Sequence, residues 1–135
     1  MNILIVEDNL SHQKITEYVL KQNKVPAKFL VVRDGQEVLD YLYRRGVYSD
    51  CEKYPMPNLI LLDLNLPKRD GREVLRLLKG DVNLKEIPIV ILSTSDREED
   101  VTFASQMGVV GYISKSIGFD RYSAELSSVI KYASE

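Results

Sequence analysis

The chain has 135 residues, which suits one domain with a single substantial core. Its formal net charge is −2, and its lysines and arginines do not gather into a block, which argues against a nucleic-acid partner. A single cysteine excludes an internal disulfide, and the apolar runs are too short to cross a membrane. The N-terminus shows no signal-peptide pattern, so we expect a cytoplasmic protein.

Short apolar runs rich in Ile, Val and Leu recur along the whole chain. They lack polar alternation, which is typical of strands covered on both faces in a parallel sheet. The predicted strands are residues 2–6, 28–32, 59–62, 87–92 and 111–114.

Helical spacing of apolar residues predicts a helix after each strand. The predicted helices are residues 11–22, 36–44, 72–79, 97–107 and 119–133. In the first helix Ile15, Tyr18 and Val19 share one side, and Asn9 or Ser11 is expected to cap its N-terminus. The fourth helix is the least apolar. The fifth is the most regular, and its apolar positions are Phe119, Tyr122, Leu126, Val129, Ile130 and Ala133.

Strands that alternate with helices predict a doubly wound α/β domain. The connection at residues 46–58 is longer than the usual few residues. Since it carries two tyrosines and two prolines, we expect it to pack against the domain.

Polar side chains follow four of the five predicted strands. Glu7 and Asp8 follow the first strand, Asp63 the third, Ser93 the fourth and Lys115 the fifth. Each alone could be a turn former, a helix cap or a solvated residue. In open α/β sheets, however, ligands bind beyond the carboxyl ends of the strands. If the first and third strands are neighbours, three carboxylates meet there and need a positive charge among them, and oxygen ligands suit Mg²⁺. Acids, a lysine and a hydroxyl around one metal suit phosphoryl transfer to a carboxylate.

The sequence resembles a response regulator receiver domain along its whole length. The resemblance rests on the acid pair Glu7-Asp8, the stretch DLNLPKRDG that begins at Asp63, Ser93 after an apolar strand, and Lys115 in GYISK. The long loop, STS at 93–95 and KS at 115–116 are similar to the subgroup that partners phytochrome-type histidine kinases. The resemblance implies a flavodoxin-like three-layer sandwich, with a five-stranded parallel sheet of order 2-1-3-4-5, and a phosphorylation switch.

The resemblance also implies roles for individual residues. Asp63 would accept the phosphoryl group, and Lys115 and Ser93 would contact the phosphoryl oxygens. Glu7, Asp8, Asp63 and the backbone carbonyl of Asn65 would hold Mg²⁺, for which Mn²⁺ can substitute.

Three further residues follow from the same resemblance. Tyr112 would be the switch aromatic, which turns inward on activation. Gly71 would close the loop after the acceptor. Receivers usually have proline after the conserved lysine, and Ser116 stands there instead, so we expect a trans peptide.

We expect residues 1–135 to form one receiver domain without an output domain. The expected partners are a histidine kinase, a downstream protein target and a second copy of the chain. The dimer would form through the fourth helix, fifth strand and fifth helix. Self-phosphorylation and autodephosphorylation are expected, without turnover of an external substrate.

Other functions fit less well. A metal-dependent hydrolase with an aspartate nucleophile would need a second carboxylate where Asn65 stands. The glycine fingerprints of dinucleotide and nucleotide binders are absent from the sequence. A receiver-like interaction module that is not phosphorylated would usually lack an acid or the lysine, and none is missing. We expect His12 to be a surface residue and Cys51 to be unreactive.

Overall fold

Five parallel strands form one sheet in the order β2-β1-β3-β4-β5 in this computed structural model. The structure describes the backbone of residues 1–134 and the side chains of residues 1–131. The strands are β1 (Asn2–Val6), β2 (Lys28–Val32), β3 (Leu59–Leu62), β4 (Ile89–Ser93) and β5 (Gly111–Ser114). The helices are α1 (Leu10–Gln22), α2 (Gly35–Leu42), α3 (Gly71–Gly80), α4 (Glu98–Gln106) and α5 (Phe119–Ser134). The predicted doubly wound fold and strand order are confirmed.

Apolar side chains cover both faces of the sheet. Leu4, Ile60 and Ile91 point to one face, where α2, α3 and α4 pack. Their chain neighbours point to the other face, where α1 and α5 pack. Because β1, β3 and β4 are buried on both sides, these strands need no polar alternation. Strand β4 begins two residues later than predicted and ends on Ser93, so Ser93 is held by the sheet.

The buried face of α1 differs from the predicted one. Asn9 caps the helix, since its side chain accepts a hydrogen bond from the backbone N–H of His12. The helix buries Val19 as expected, but Ile15 and Tyr18 are exposed. Polar residues that find partners take the buried positions instead: the Thr16 hydroxyl lies 2.8 Å from the Tyr122 hydroxyl. The side that Ile15 and Tyr18 were predicted to share with Val19 is therefore not the buried side of the helix.

Helix α5 follows its predicted stripe in part. Tyr122, Leu126 and Ile130 are buried, whereas Phe119 is half exposed at the N-terminus of the helix. The predicted apolar position Ala133 lies outside the described side chains. In the part of the chain that the structure describes, no helix is long and apolar enough to cross a membrane.

The long connection at residues 46–58 packs on α2, as predicted. Its Tyr48 and Tyr54 stack in tilted and edge-on contacts with Tyr41 of α2, at ring-centroid distances of 5.0 and 5.9 Å. The Tyr41 hydroxyl donates to the carbonyl of Pro55, at 2.6 Å. These contacts hold the loop against the domain without any long secondary-structure element.

Candidate functional site

The register of β1 and β3 brings three carboxylates together at the carboxyl edge of the sheet. Val6 lies beside Leu62, and the backbone N–H of Asp63 donates to the carbonyl of Val6 at 3.1 Å. Glu7, Asp8 and Asp63 each offer a carboxylate oxygen, and these oxygens lie within 4.8 Å of one another. Glu7 and Asp63 are buried, whereas Asp8 faces solvent. The predicted acid cluster is therefore present.

Lys115 is the positive charge of this cluster. Its Nζ donates to Asp63 Oδ2 at 2.9 Å and to Glu7 Oε1. Its backbone N–H donates to the carbonyl of Ser93 at 2.8 Å, so the ends of β4 and β5 set its position. The side chain is buried, which rules out the simpler interpretation of Lys115 as a solvated lysine.

The electrostatics of the cluster fit a divalent cation. Burial first, and the neighbouring Asp63 carboxylate second, raise the pKa of the Glu7 carboxyl to about 7 against the opposing effect of Lys115. The single positive charge of Lys115 is smaller than the combined negative charge of the three carboxylates when all are ionised. The donors are all oxygens and one face of the cluster is open to solvent at Asp8, which suits an ion that keeps several of its waters.

The loop after β3 wraps closely around Asp63. The backbone N–H of Asn65 donates to Asp63 Oδ1 at 3.0 Å, and Asn65 itself is exposed. A Cβ atom on Gly71 would lie 2.3 Å from the carbonyl oxygen of Asp63 and 2.6 Å from the Cα of Leu64. Only glycine fits at this position, so the loop can close and α3 can begin directly beside the acid.

Ser93 and Tyr112 meet at Ser95, in the loop between β4 and α4. Ser93 is fully buried, and its hydroxyl accepts a hydrogen bond from the Ser95 N–H at 3.1 Å. Tyr112 is half buried, and its hydroxyl donates to the Ser95 carbonyl at 2.7 Å. Tyr112 is therefore bound to the loop between β4 and α4, and its role as the switch aromatic stays a prediction.

The loop after Lys115 has no cis peptide, as the sequence predicts; none occurs among the described residues. The Ser116 N–H donates to the hydroxyl of Ser114, and the two serine hydroxyls lie 2.8 Å apart. These contacts hold the turn that follows Lys115.

The structure corrects one expectation and reveals a residue that the sequence did not identify. His12 was expected on the surface, but its Nδ1 lies 3.3 Å from Lys115 Nζ and 3.7 Å from Glu7 Oε1. Burial and the positive charge of Lys115 lower the pKa of His12, so the neutral imidazole borders the site. The available signal was its place in the first turn of the helix that follows the acid pair. Cys51 is exposed, and its expected lack of reactivity stays a prediction.

Comparisons with known proteins give one answer. A family model described as "Response regulator receiver domain" matches residues 3–127. Response regulator Rcp1 of Synechocystis sp. is 44% identical over 114 residues, which cover 84% of this chain and 76% of that protein. The crystal structure of the Mn²⁺-bound form of Rcp1 matches with a TM-score of 0.86 and 38% identity, over 97% of this chain and 92% of that chain.

A second solved structure extends this similarity. The crystal structure of the phosphorylated cyanobacterial phytochrome response regulator RcpA matches with a TM-score of 0.88 and 39% identity. The match covers 99% of this chain and 94% of that chain. The similarity therefore spans the sheet, all five helices and the edge that carries the acid cluster.

Proposed function

The chain belongs to the response regulator receiver domain family and is a two-component response regulator, and we propose that Asp63 is the residue that a histidine kinase phosphorylates. The observation that carries this assignment is the contact of buried Asp63 with Lys115, beside two further carboxylates at the sheet edge. A buried acid held by a lysine on a rigid strand end is positioned to attack a phosphoryl group.

We propose that the metal is Mg²⁺, held by Glu7, Asp8, Asp63 and the backbone carbonyl of Asn65. When bound, Mg²⁺ supplies the positive charge that the acid cluster lacks and neutralises charge on the transferred group. The solved Rcp1 structure is named as a Mn²⁺-bound form, which supports a divalent ion here and Mn²⁺ as a substitute.

The transfer exchanges one phosphorus bond for another. A carboxylate oxygen of Asp63 attacks the phosphorus of a phosphohistidine, the bond from phosphorus to imidazole nitrogen breaks, and an acyl phosphate forms. Lys115 then holds a phosphoryl oxygen, and the Ser93 hydroxyl donates to another. Attack by water later releases inorganic phosphate and restores Asp63. No external substrate is turned over, so the protein acts as a switch and not as an enzyme with its own substrate.

The partners follow from the relatives. RcpA is named as a phytochrome response regulator, which supports a kinase of the phytochrome type for this chain. We propose that residues 1–135 act as a single receiver domain in the cytoplasm, where ATP-dependent kinases work. The output is then a change of surface around α4, β5 and α5, recognised by a downstream protein or by a second copy of the chain.

Phosphotransfer from a kinase tests this assignment. A phytochrome-type histidine kinase, ATP and Mg²⁺ are mixed with wild type, Asp63→Asn and Lys115→Ala, with Asp120→Asn as the control for loss of an exposed acid. We expect base-labile phosphate on wild type and Asp120→Asn, and none on Asp63→Asn. Lys115→Ala should still take up the phosphoryl label but should transmit the signal poorly. Labelling of Asp63→Asn at the wild-type rate would instead favour a receiver-like module that does not use this acid.

A further inference from the structure

An ion pair between the partly exposed Arg72 and the buried Asp100 joins α3 to α4 beside the switch residues. Arg72, in the first turn of α3, donates through Nε and Nη2 to the two carboxylate oxygens of Asp100, both at 2.8 Å. Asp100, in the first turn of α4, is only 4% exposed. Two parallel hydrogen bonds fix the orientation of both groups, which a single contact between point charges does not do.

The ion pair continues into the loop between β4 and α4. The Ser95 hydroxyl donates to Asp100 Oδ2 at 2.6 Å. The other two polar groups of Ser95 bind the two switch residues: its N–H donates to the Ser93 hydroxyl and its carbonyl accepts from the Tyr112 hydroxyl. Ser95 therefore links the ion pair to both switch residues, and its position sets where the acceptor for Tyr112 lies.

A purely structural ion pair would look different. Arg69, in the loop just before α3, and Glu73 of α3 form a contact of 2.7 Å between two exposed side chains. Such a pair contributes little and orders nothing beyond itself. The Asp100 carboxylate, by contrast, uses both of its oxygens on Arg72 and one of them also on Ser95.

We propose that Arg72 and Asp100 are positioning residues of the switch: they fix Ser95 so that its carbonyl holds Tyr112 inward, which favours the phosphorylated arrangement. This inference rests on the proposed role of Asp63. Without the ion pair the Ser95 carbonyl is no longer fixed, and Tyr112 spends more of its time turned outward. Phosphorylation must then order the loop as well, so the affinity for a phosphoryl group at Asp63 falls.

Two readouts test the proposal. The first is the ring resonance of Tyr112 in protein labelled on tyrosine, measured without any phosphoryl mimic. The second is the affinity for beryllofluoride in the presence of Mg²⁺, measured by calorimetry because the chain has no tryptophan. Beryllofluoride binds a carboxylate as a phosphoryl group does.

We expect Asp100→Ala to shift the Tyr112 resonance toward that of an exposed tyrosine and to weaken beryllofluoride binding about tenfold. Arg72→Lys, which keeps the charge but loses the paired hydrogen bonds, should lie between Asp100→Ala and wild type. Glu73→Ala, which breaks the exposed pair at the start of α3, should match wild type in both readouts.

A double-mutant cycle separates positioning from general destabilisation. In a Tyr112→Phe background, where the hydroxyl is gone, Asp100→Ala should weaken beryllofluoride binding no further. An unchanged Tyr112 resonance in Asp100→Ala and Arg72→Lys, or an equal loss of affinity in the Tyr112→Phe background, would overturn the proposal. Failure of the wild type to bind beryllofluoride would instead contradict the role of Asp63, while the Tyr112 resonance would still report on the ion pair.

Discussion

At the scale of single residues, the site sets three carboxylates against one ammonium group. Glu7 and Asp63 share the one ammonium group of Lys115, and Asp8 stands beside them in solvent. The raised pKa of Glu7 follows from burial first and from Asp63 second, so this pocket favours either a proton or a cation over free carboxylates. A proton or a bound cation would therefore relieve the repulsion between the three acids.

Asp8 gives the cleanest test of the metal site. We expect Asp8→Ala to weaken Mg²⁺ binding at least tenfold, because an oxygen ligand is lost, with little effect on folding since Asp8 is exposed. Mg²⁺ titration followed by NMR measures the affinity. Asp120→Asn removes an acid at the start of α5 and should bind as wild type does. Unchanged affinity in Asp8→Ala would remove Asp8 from the ligand set.

The sequence predicts the main side chains of the site but not their neighbours. Glu7, Asp63 and Lys115 were identifiable because each follows an apolar strand, and parallel strands end at one edge. The Arg72–Asp100 pair was not identifiable, because the two residues stand on different helices and nothing in their spacing indicates that those helix N-termini meet. His12 was missed for a similar reason: its place at the site depends on where the side chain of Lys115, just after β5, reaches.

At the scale of elements, polar contacts decide which helix face is buried. Helix α1 turns Thr16 toward Tyr122 of α5, and Gln13 toward the carbonyl of Glu7 at 2.7 Å. A hydrophobicity pattern cannot anticipate this, since it treats every polar residue as exposed. Helix α4 shows the same effect, because Asp100 and Ala104 are its buried residues. It is held by the ion pair to α3 together with the apolar contacts of Ala104 and Phe103.

The attachment of α4 to α3 should depend on pH. Hydrogen bonds from Arg72 and Ser95 lower the pKa of Asp100 from 3.8 to about 2, and the more distant Arg97 acts in the same direction. A lowered pKa means that the stabilisation is complete above the ordinary pKa and is lost as the pH falls toward the folded value. The ion pair should therefore weaken between about pH 4 and pH 2.

Urea unfolding of wild type and Asp100→Asn measures this effect. We expect the variant to be less stable by about 2 kcal/mol near neutral pH, a typical cost for losing charged hydrogen bonds. The difference in free energy of unfolding should shrink as the pH falls through this window, because protonated Asp100 resembles asparagine. Glu73→Gln, on the exposed pair, should show no such convergence. A difference that stays constant with pH would contradict the assigned pKa.

At the scale of the whole molecule, two features stand out: the edge of the sheet that carries the acid cluster, and helix α4, which buries few side chains. Helix α4 lies next to this edge. Tyr112 and Phe103 of α4 both pack against the apolar cluster on the face of the sheet where α4 packs, so a change at Tyr112 can reach the surface at α4.

This surface is where we expect a second copy of the chain to bind when Asp63 is phosphorylated. A two-fold pair through α4, β5 and α5 would bury Val101, which is 39% exposed. Val101→Glu should then keep the phosphorylated protein monomeric in sedimentation experiments. Val82→Glu, at a valine that is 74% exposed beyond α3, should dimerise as wild type does. A wild type that is monomeric with and without phosphate would contradict the dimer.

The most direct test of the account is to locate the phosphate itself. Wild-type protein phosphorylated by its kinase is treated with borohydride, which reduces an aspartyl phosphate to homoserine, and the peptides are sequenced by mass spectrometry. We predict homoserine at position 63 and at no other aspartate. Because the chain has one histidine, His12 beside Lys115, a phosphohistidine is the sharpest rival. Unreduced Asp63, with acid-labile phosphate on His12, would contradict the central claim.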